Sequence, residues 1–82
     1  MVMLYYPYMH NAQDEKTIME IANRIKEIRV KKGMTQFEVS EKAGLDSNSY
    51  AKIERGENKP YGVTLVKICK ALGVKSSDIL SV

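Results

Sequence analysis

The sequence predicts an all-α fold of five short helices behind a short N-terminal arm. Three observations predict it. Apolar residues recur at three- and four-residue steps, the spacing of one face of a helix. Four glycines, Gly33, Gly44, Gly56 and Gly73, each follow a helix-like run, and glycine is favoured just past a helix end because the left-handed conformation costs it nothing. No segment alternates apolar and polar residues as a half-buried strand would; only residues 1–9 come near it.

The first helix is expected from about Thr17 to Lys32, with Ile18, Ile21, Ala22, Ile25 and Ile28 forming one apolar stripe. The second starts at Thr35. Thr35 and Glu38 make a capping box, Met34 and Val39 are placed as a hydrophobic staple, and Val39 and Ala43 face inward before Gly44 ends the run. In the third, Asp46 is the N-cap, Leu45 can staple against Tyr50, and Tyr50 with Ile53 marks the buried side. The fourth, about Gly62 to Leu72, carries Leu65, Ile68, Cys69 and Leu72 on one face. A short fifth begins near Ser76 or Ser77 and is expected to bury Ile79 and Leu80. This divides the chain into an arm, residues 1–16, and a helical domain, residues 17–82.

With 82 residues, 44% of them hydrophobic and 28% charged, the chain is one globular domain close to the lower size limit for a single core. Thirteen Lys and Arg against ten Asp and Glu give a net charge of +3. That bias is compatible with a nucleic-acid partner and too weak to establish one. The single cysteine excludes an intrachain disulfide and fits a reducing cytoplasm; Cys69 reads as a small core residue. No apolar run approaches the roughly 18 residues of a membrane span. "MVMLYYPYM" has no basic leader, contains Pro7 and lacks a cleavage site, so no secretion signal is expected. One histidine, one cysteine and no Gly-rich phosphate loop leave no catalytic pair, metal site or cofactor to name.

The second and third helices are joined by a turn of a few residues within "AGLDS". So close a helix pair, with a small residue at the bend, is the geometry of a helix-turn-helix, here about residues 35–55. Its second helix would expose Ser47, Asn48, Ala51, Lys52 and Arg55. A partner helix has little there to grip. The major groove of double-stranded DNA rewards short hydrogen-bonding side chains with a cation further along, and Ser47, Asn48 and Lys52 meet that demand. Asp46 is first an N-cap and second an acceptor for cytosine. Ser49 and Thr35 are secondary candidates for DNA contact.

From residue 20 to about 80 the sequence is similar to the Cro/phage-repressor (XRE) helix-turn-helix family, without a gap. The marks are "IR…KGMTQ", "V…KAG", "KIERG", the following Pro60 and "KICKALGV". The resemblance implies a compact five-helix, repressor-like DNA-binding domain. It implies that Gln36 clamps a phosphate and braces the recognition helix, that Ser47, Asn48 and Lys52 contact bases, and that Arg55 and the loop to Lys59 lie along the phosphate backbone. It implies too that Arg29 and Glu54 form a charged pair tying the first helix to the end of the third. Three positions depart from the family pattern. Tyr50 stands where Ile or Val is usual, so either the core is rearranged or Tyr50 tilts outward. Phe37 replaces a charged residue, and "YG" at 61 and 62 replaces a small capping residue and a Leu.

The expected function is a cytoplasmic transcriptional regulator that binds an inverted-repeat operator as a homodimer. With no room for a ligand-sensing domain after Val82, control is expected from protein concentration or a partner. The alternative is an antitoxin or protein-interaction module that grips a protein partner through its Tyr-rich N-terminal arm and binds its own promoter too.

Overall fold

The computed structural model describes residues 12–80; residues 1–11 of the arm that was expected to carry the partner contact lie outside them, and residues 12–16 belong to the first helix. Five helices follow in order: α1 Ala12–Lys31, α2 Gln36–Ala43, α3 Ser47–Glu54, α4 Gly62–Leu72 and α5 Ser76–Leu80. Helix α2 packs on both α3 and α4, α1 on α3 and α5, and α4 on α5. Among the described residues there is no strand.

Local signals explain both ends of α2 and the start of α3. Thr35 Oγ1 accepts from the Glu38 amide at 3.0 Å and Glu38 Oε1 accepts from the Thr35 amide at 2.8 Å, the reciprocal capping box expected at α2. Gly44 ends α2 at φ 68°, its N–H donating to the Glu41 carbonyl while the Leu45 N–H reaches back to Ser40. This paired closure satisfies the last carbonyls of the helix and turns the chain at once into α3. Asp46 caps α3 through the Ser49 amide at 3.0 Å. Tyr61 precedes α4 with extended backbone and no side-chain cap bond, which is how the "YG" departure is accommodated.

Helix α1 begins at Ala12, five residues ahead of the expected Thr17. The apolar spacing starts only at Ile18, so periodicity could not register the polar turns before it. Asp14 and Glu15 stand in the first turn, where acidic side chains meet the positive end of the helix dipole.

The core is built by all five helices from Ile25, Val39, Tyr50, Ile53, Ile68, Cys69, Leu72 and Ile79, with Ile21, Ile28, Met34, Leu45, Leu65, Ala71 and Val74 packed around it. Leu80 corrects the sequence reading: Ile79 is fully buried, whereas Leu80 is 44% exposed. Adjacent helical residues point about 100° apart, and a five-residue helix cannot turn both inward. Tyr50 lies inside with none of its surface exposed. Burial raises the pKa of the Cys69 thiol, with the nearby Asp78 charge adding to it. That keeps it protonated, as an inert core residue.

The loop after α3 packs on α1 through Gly56, which has φ 75°. A Cβ there would stand 2.2 Å from Met19 Sδ, whereas one at Gly33, at φ 69°, would meet nothing within 4 Å. Both positions carry the left-handed penalty of about 1–2 kcal/mol for a non-glycine residue. Gly56→Ala is therefore expected to destabilise more than Gly33→Ala in urea unfolding. Equal losses would mean that Met19 yields freely.

Candidate nucleic-acid interface

Helix α3 is held at both ends, and its outer side is left to solvent. Ser47, Asn48, Ser49 and Arg55 are exposed, and Ala51 and Lys52 are half-buried. Asn48 and Lys52 are four residues apart on one face, so their Cα atoms are separated by about 6 Å along the axis. That is close to two base-pair steps of DNA at roughly 3.4 Å each. The chain then folds back, with the Glu57 amide donating to the Lys52 carbonyl at 2.9 Å. Lys59 is exposed in the loop that follows.

Two candidates are partly committed to helix caps. Thr35 and Asp46 already serve their helix caps, so each offers DNA only what the cap leaves over. Arg55 carries a partner that the sequence reading missed. Its Nε donates to Glu57 Oε2 at 2.8 Å and its Nη2 to Glu57 Oε1 at 3.2 Å, with both side chains about half exposed. The hydrogen bond from Arg55 holds the Glu57 carboxyl below its ordinary value.

Behind the exposed face lies a buried carboxylate. Glu54 Oε2 accepts from Arg29 Nε and from the Tyr50 hydroxyl, each at 2.5 Å. Oε1 accepts from Arg29 Nη2 at 3.1 Å and Gln36 Nε2 at 3.0 Å. Arg29 Nη1 also donates to the Met34 carbonyl at 2.8 Å. The expected Arg29–Glu54 pair is thus present. It is also larger than expected, because Gln36 and Tyr50 complete it. Tyr50 fits inside where an aliphatic residue is usual because its hydroxyl has this acceptor. Tyr50 and Glu54 are one helical turn apart, a spacing visible in the sequence; the bond from Gln36, 18 residues away, had no local signal.

Burial works to raise the Glu54 pKa, but hydrogen bonds from Arg29, Gln36 and Tyr50 outweigh it and hold the group below 4.5, the ordinary glutamate value. The stabilisation from Glu54 is accordingly complete above about pH 4.5 and is lost as pH falls through the lower folded-state value. Urea midpoints measured between about pH 6 and 3 should show this acid-sensitive component and should lose it in Glu54→Gln. A Glu54→Gln profile parallel to the wild type would contradict the assignment.

Among the described residues no group of side chains is placed to hold a metal ion, and no helix is long and apolar enough to cross a membrane. A short-turned helix pair with a polar outward second helix defines a helix-turn-helix protein. The helix-turn-helix family matches residues 25–79, and the chain belongs to that family, of the XRE type. The uncharacterized HTH-type transcriptional regulator YgzD of Bacillus subtilis is 35% identical over 57 residues, covering 70% of this chain and 86% of YgzD. The immunity repressor of Bacillus phage phi105 is 39% identical over 62 residues, and the match spans 76% of this chain but only 43% of that repressor. Among solved structures, the restriction-modification controller protein C.AhdI from Aeromonas hydrophila superposes with a TM-score of 0.76 at 25% identity, covering 78% of this chain and 97% of that one. The protein is a helix-turn-helix transcriptional regulator.

Proposed function

We propose that the protein binds operator DNA as a homodimer, with α3 of each protomer in the major groove of one half of an inverted repeat, and that it acts as a repressor. The observation that carries this reading is the outer face of α3. It is short and polar, exposed at Ser47, Asn48 and Arg55 and half-buried at Lys52, on a helix that the buried Glu54 network ties down from behind. Asn48 suits bidentate recognition of adenine and Lys52 of guanine, while Ser47 can serve either. Asp46 and Ser49 stand at the same end of the helix. Gln36, Thr35, Arg55 and Lys59 face the sugar–phosphate backbone in this arrangement. Val63 and Val66, three residues apart on α4 and 72% and 50% exposed, supply an apolar face for pairing two protomers. Similarity to phage repressors supports repression as the outcome.

A selection from random duplexes identifies the site. Arg55→Ala is then expected to weaken binding to all DNA alike, lowering the salt-dependence slope by about one per protomer. A change in the preferred sequence instead would show that Arg55 reads bases.

A further inference from the structure

A carboxylate offers about four lone-pair positions, and at Glu54 four donors fill them. Arg29 takes one on each oxygen, its fork fixed in turn by the Met34 carbonyl. One position then remains on each oxygen. Tyr50 occupies the one on Oε2, and Gln36 occupies the one on Oε1. Gln36 is the first residue of α2 and is half-buried. With one N–H on Glu54, its amide keeps a second N–H that this bond does not use, and in the operator reading that is the group offered to a phosphate oxygen.

We propose that Tyr50 is a positioning residue for DNA binding. Its hydroxyl closes the second position on Glu54 Oε2, leaving the Gln36 amide one place to dock and so one direction in which to present its free N–H. Tyr50 does this without touching DNA, from a fully buried ring. The phenol is suited to the task because burial, reinforced by the neighbouring carboxylate, raises its pKa well above the usual value. It therefore stays protonated, and a donor, at neutral pH. The inference rests on the phosphate role proposed for Gln36. It goes beyond that role in making α3's own core residue part of the binding apparatus.

Tyr50→Phe removes the hydroxyl and keeps the ring, so the core stays filled. Affinity for the selected operator is measured with wild type, Tyr50→Phe, Gln36→Ala and the double variant, at a temperature where circular dichroism shows each fully folded. Tyr50→Phe should weaken binding roughly five- to ten-fold per protomer, the worth of one hydrogen bond in each, with base preference unchanged. In the Gln36→Ala background the same substitution should have no further effect, whereas with Lys52→Ala the two losses should multiply. The Gln36 side-chain amide resonances of the free protein should also shift in Tyr50→Phe. Unshifted resonances, an unchanged affinity, or losses that multiply with Gln36→Ala would each overturn the inference and reduce Tyr50 to core filling. Failure of the wild type to bind any selected duplex would instead overturn the operator reading. Should Tyr50→Phe not stay folded, saturation transfer from the Tyr50 hydroxyl to the Gln36 amide protons in the wild type decides: its absence refutes the shared carboxylate.

Discussion

Glu54→Ala is expected to cost about 3–5 kcal/mol, the penalty for removing one partner of a buried ion pair. The Glu54 side chain is 1% exposed and that of Arg29 12%, so solvent screens the pair far less than a surface bridge worth about 0–1 kcal/mol. The loss is compounded. Alanine leaves the Arg29 fork, the Gln36 amide and the buried Tyr50 hydroxyl without their common acceptor, and an unsatisfied buried donor alone costs about 1–3 kcal/mol. A domain this small has a total stability of roughly 5–15 kcal/mol, and at about 4–8 °C per kcal/mol the variant should melt at least about 12 °C lower. A double-mutant cycle of Arg29→Ala and Glu54→Ala, read by denaturant unfolding, should give a substantial coupling energy. A coupling of zero would mean that the two residues act independently, whatever their distance.

Lys52→Ala should have the second large effect, on specificity. In the proposed complex, α3 and its N-cap offer three or four base-reading side chains, each worth about 1–3 kcal/mol of discrimination. One protomer therefore cannot pick a site out of roughly a million or more competitors. Two protomers related by a two-fold axis double the contacts and set their recognition helices about 34 Å apart. Losing Lys52 from both should relax the preference for guanine in the two halves together, by about 2–6 kcal/mol in total. Footprinting checks this directly. A single asymmetric half-site, bound at full affinity by a monomer, would refute the paired arrangement.

What could be read ahead of the structure was whatever a few neighbouring residues determine. Thr35 with Glu38, Asp46 before α3, and the glycines at 44 and 73 bond within one or two turns, so their spacing alone located three helices. The outward set on α3 followed from the same local logic, because a helix with Tyr50 and Ile53 inside must turn Asn48 and Lys52 out. Three features were not legible for the opposite reason. The beginning of α1 has no apolar step to mark it. Leu80 competes with Ile79 for one inward direction, and only the packed neighbours decide the winner. The Glu54 cluster joins residues 18 and 25 positions apart. The family resemblance supplied Arg29, Glu54 and Gln36, but Tyr50 departs from the family pattern, so its spacing from Glu54 was visible while its bond to that carboxylate was not.

The Arg55–Glu57 pair bears on how long the protein lingers in the wrong place. Attachment to arbitrary DNA is almost wholly a matter of cations meeting phosphates. Beside any backbone, Arg55 offers only the N–H groups that Glu57 leaves free, and Glu57 is brought near like charge. The operator and random sequence impose this cost equally, but only the operator returns base contacts from α3. In the proposed complex, Glu57 therefore shortens each unproductive stop during the search of a genome while leaving the ratio of right to wrong sites intact. The carboxylate trades affinity for speed.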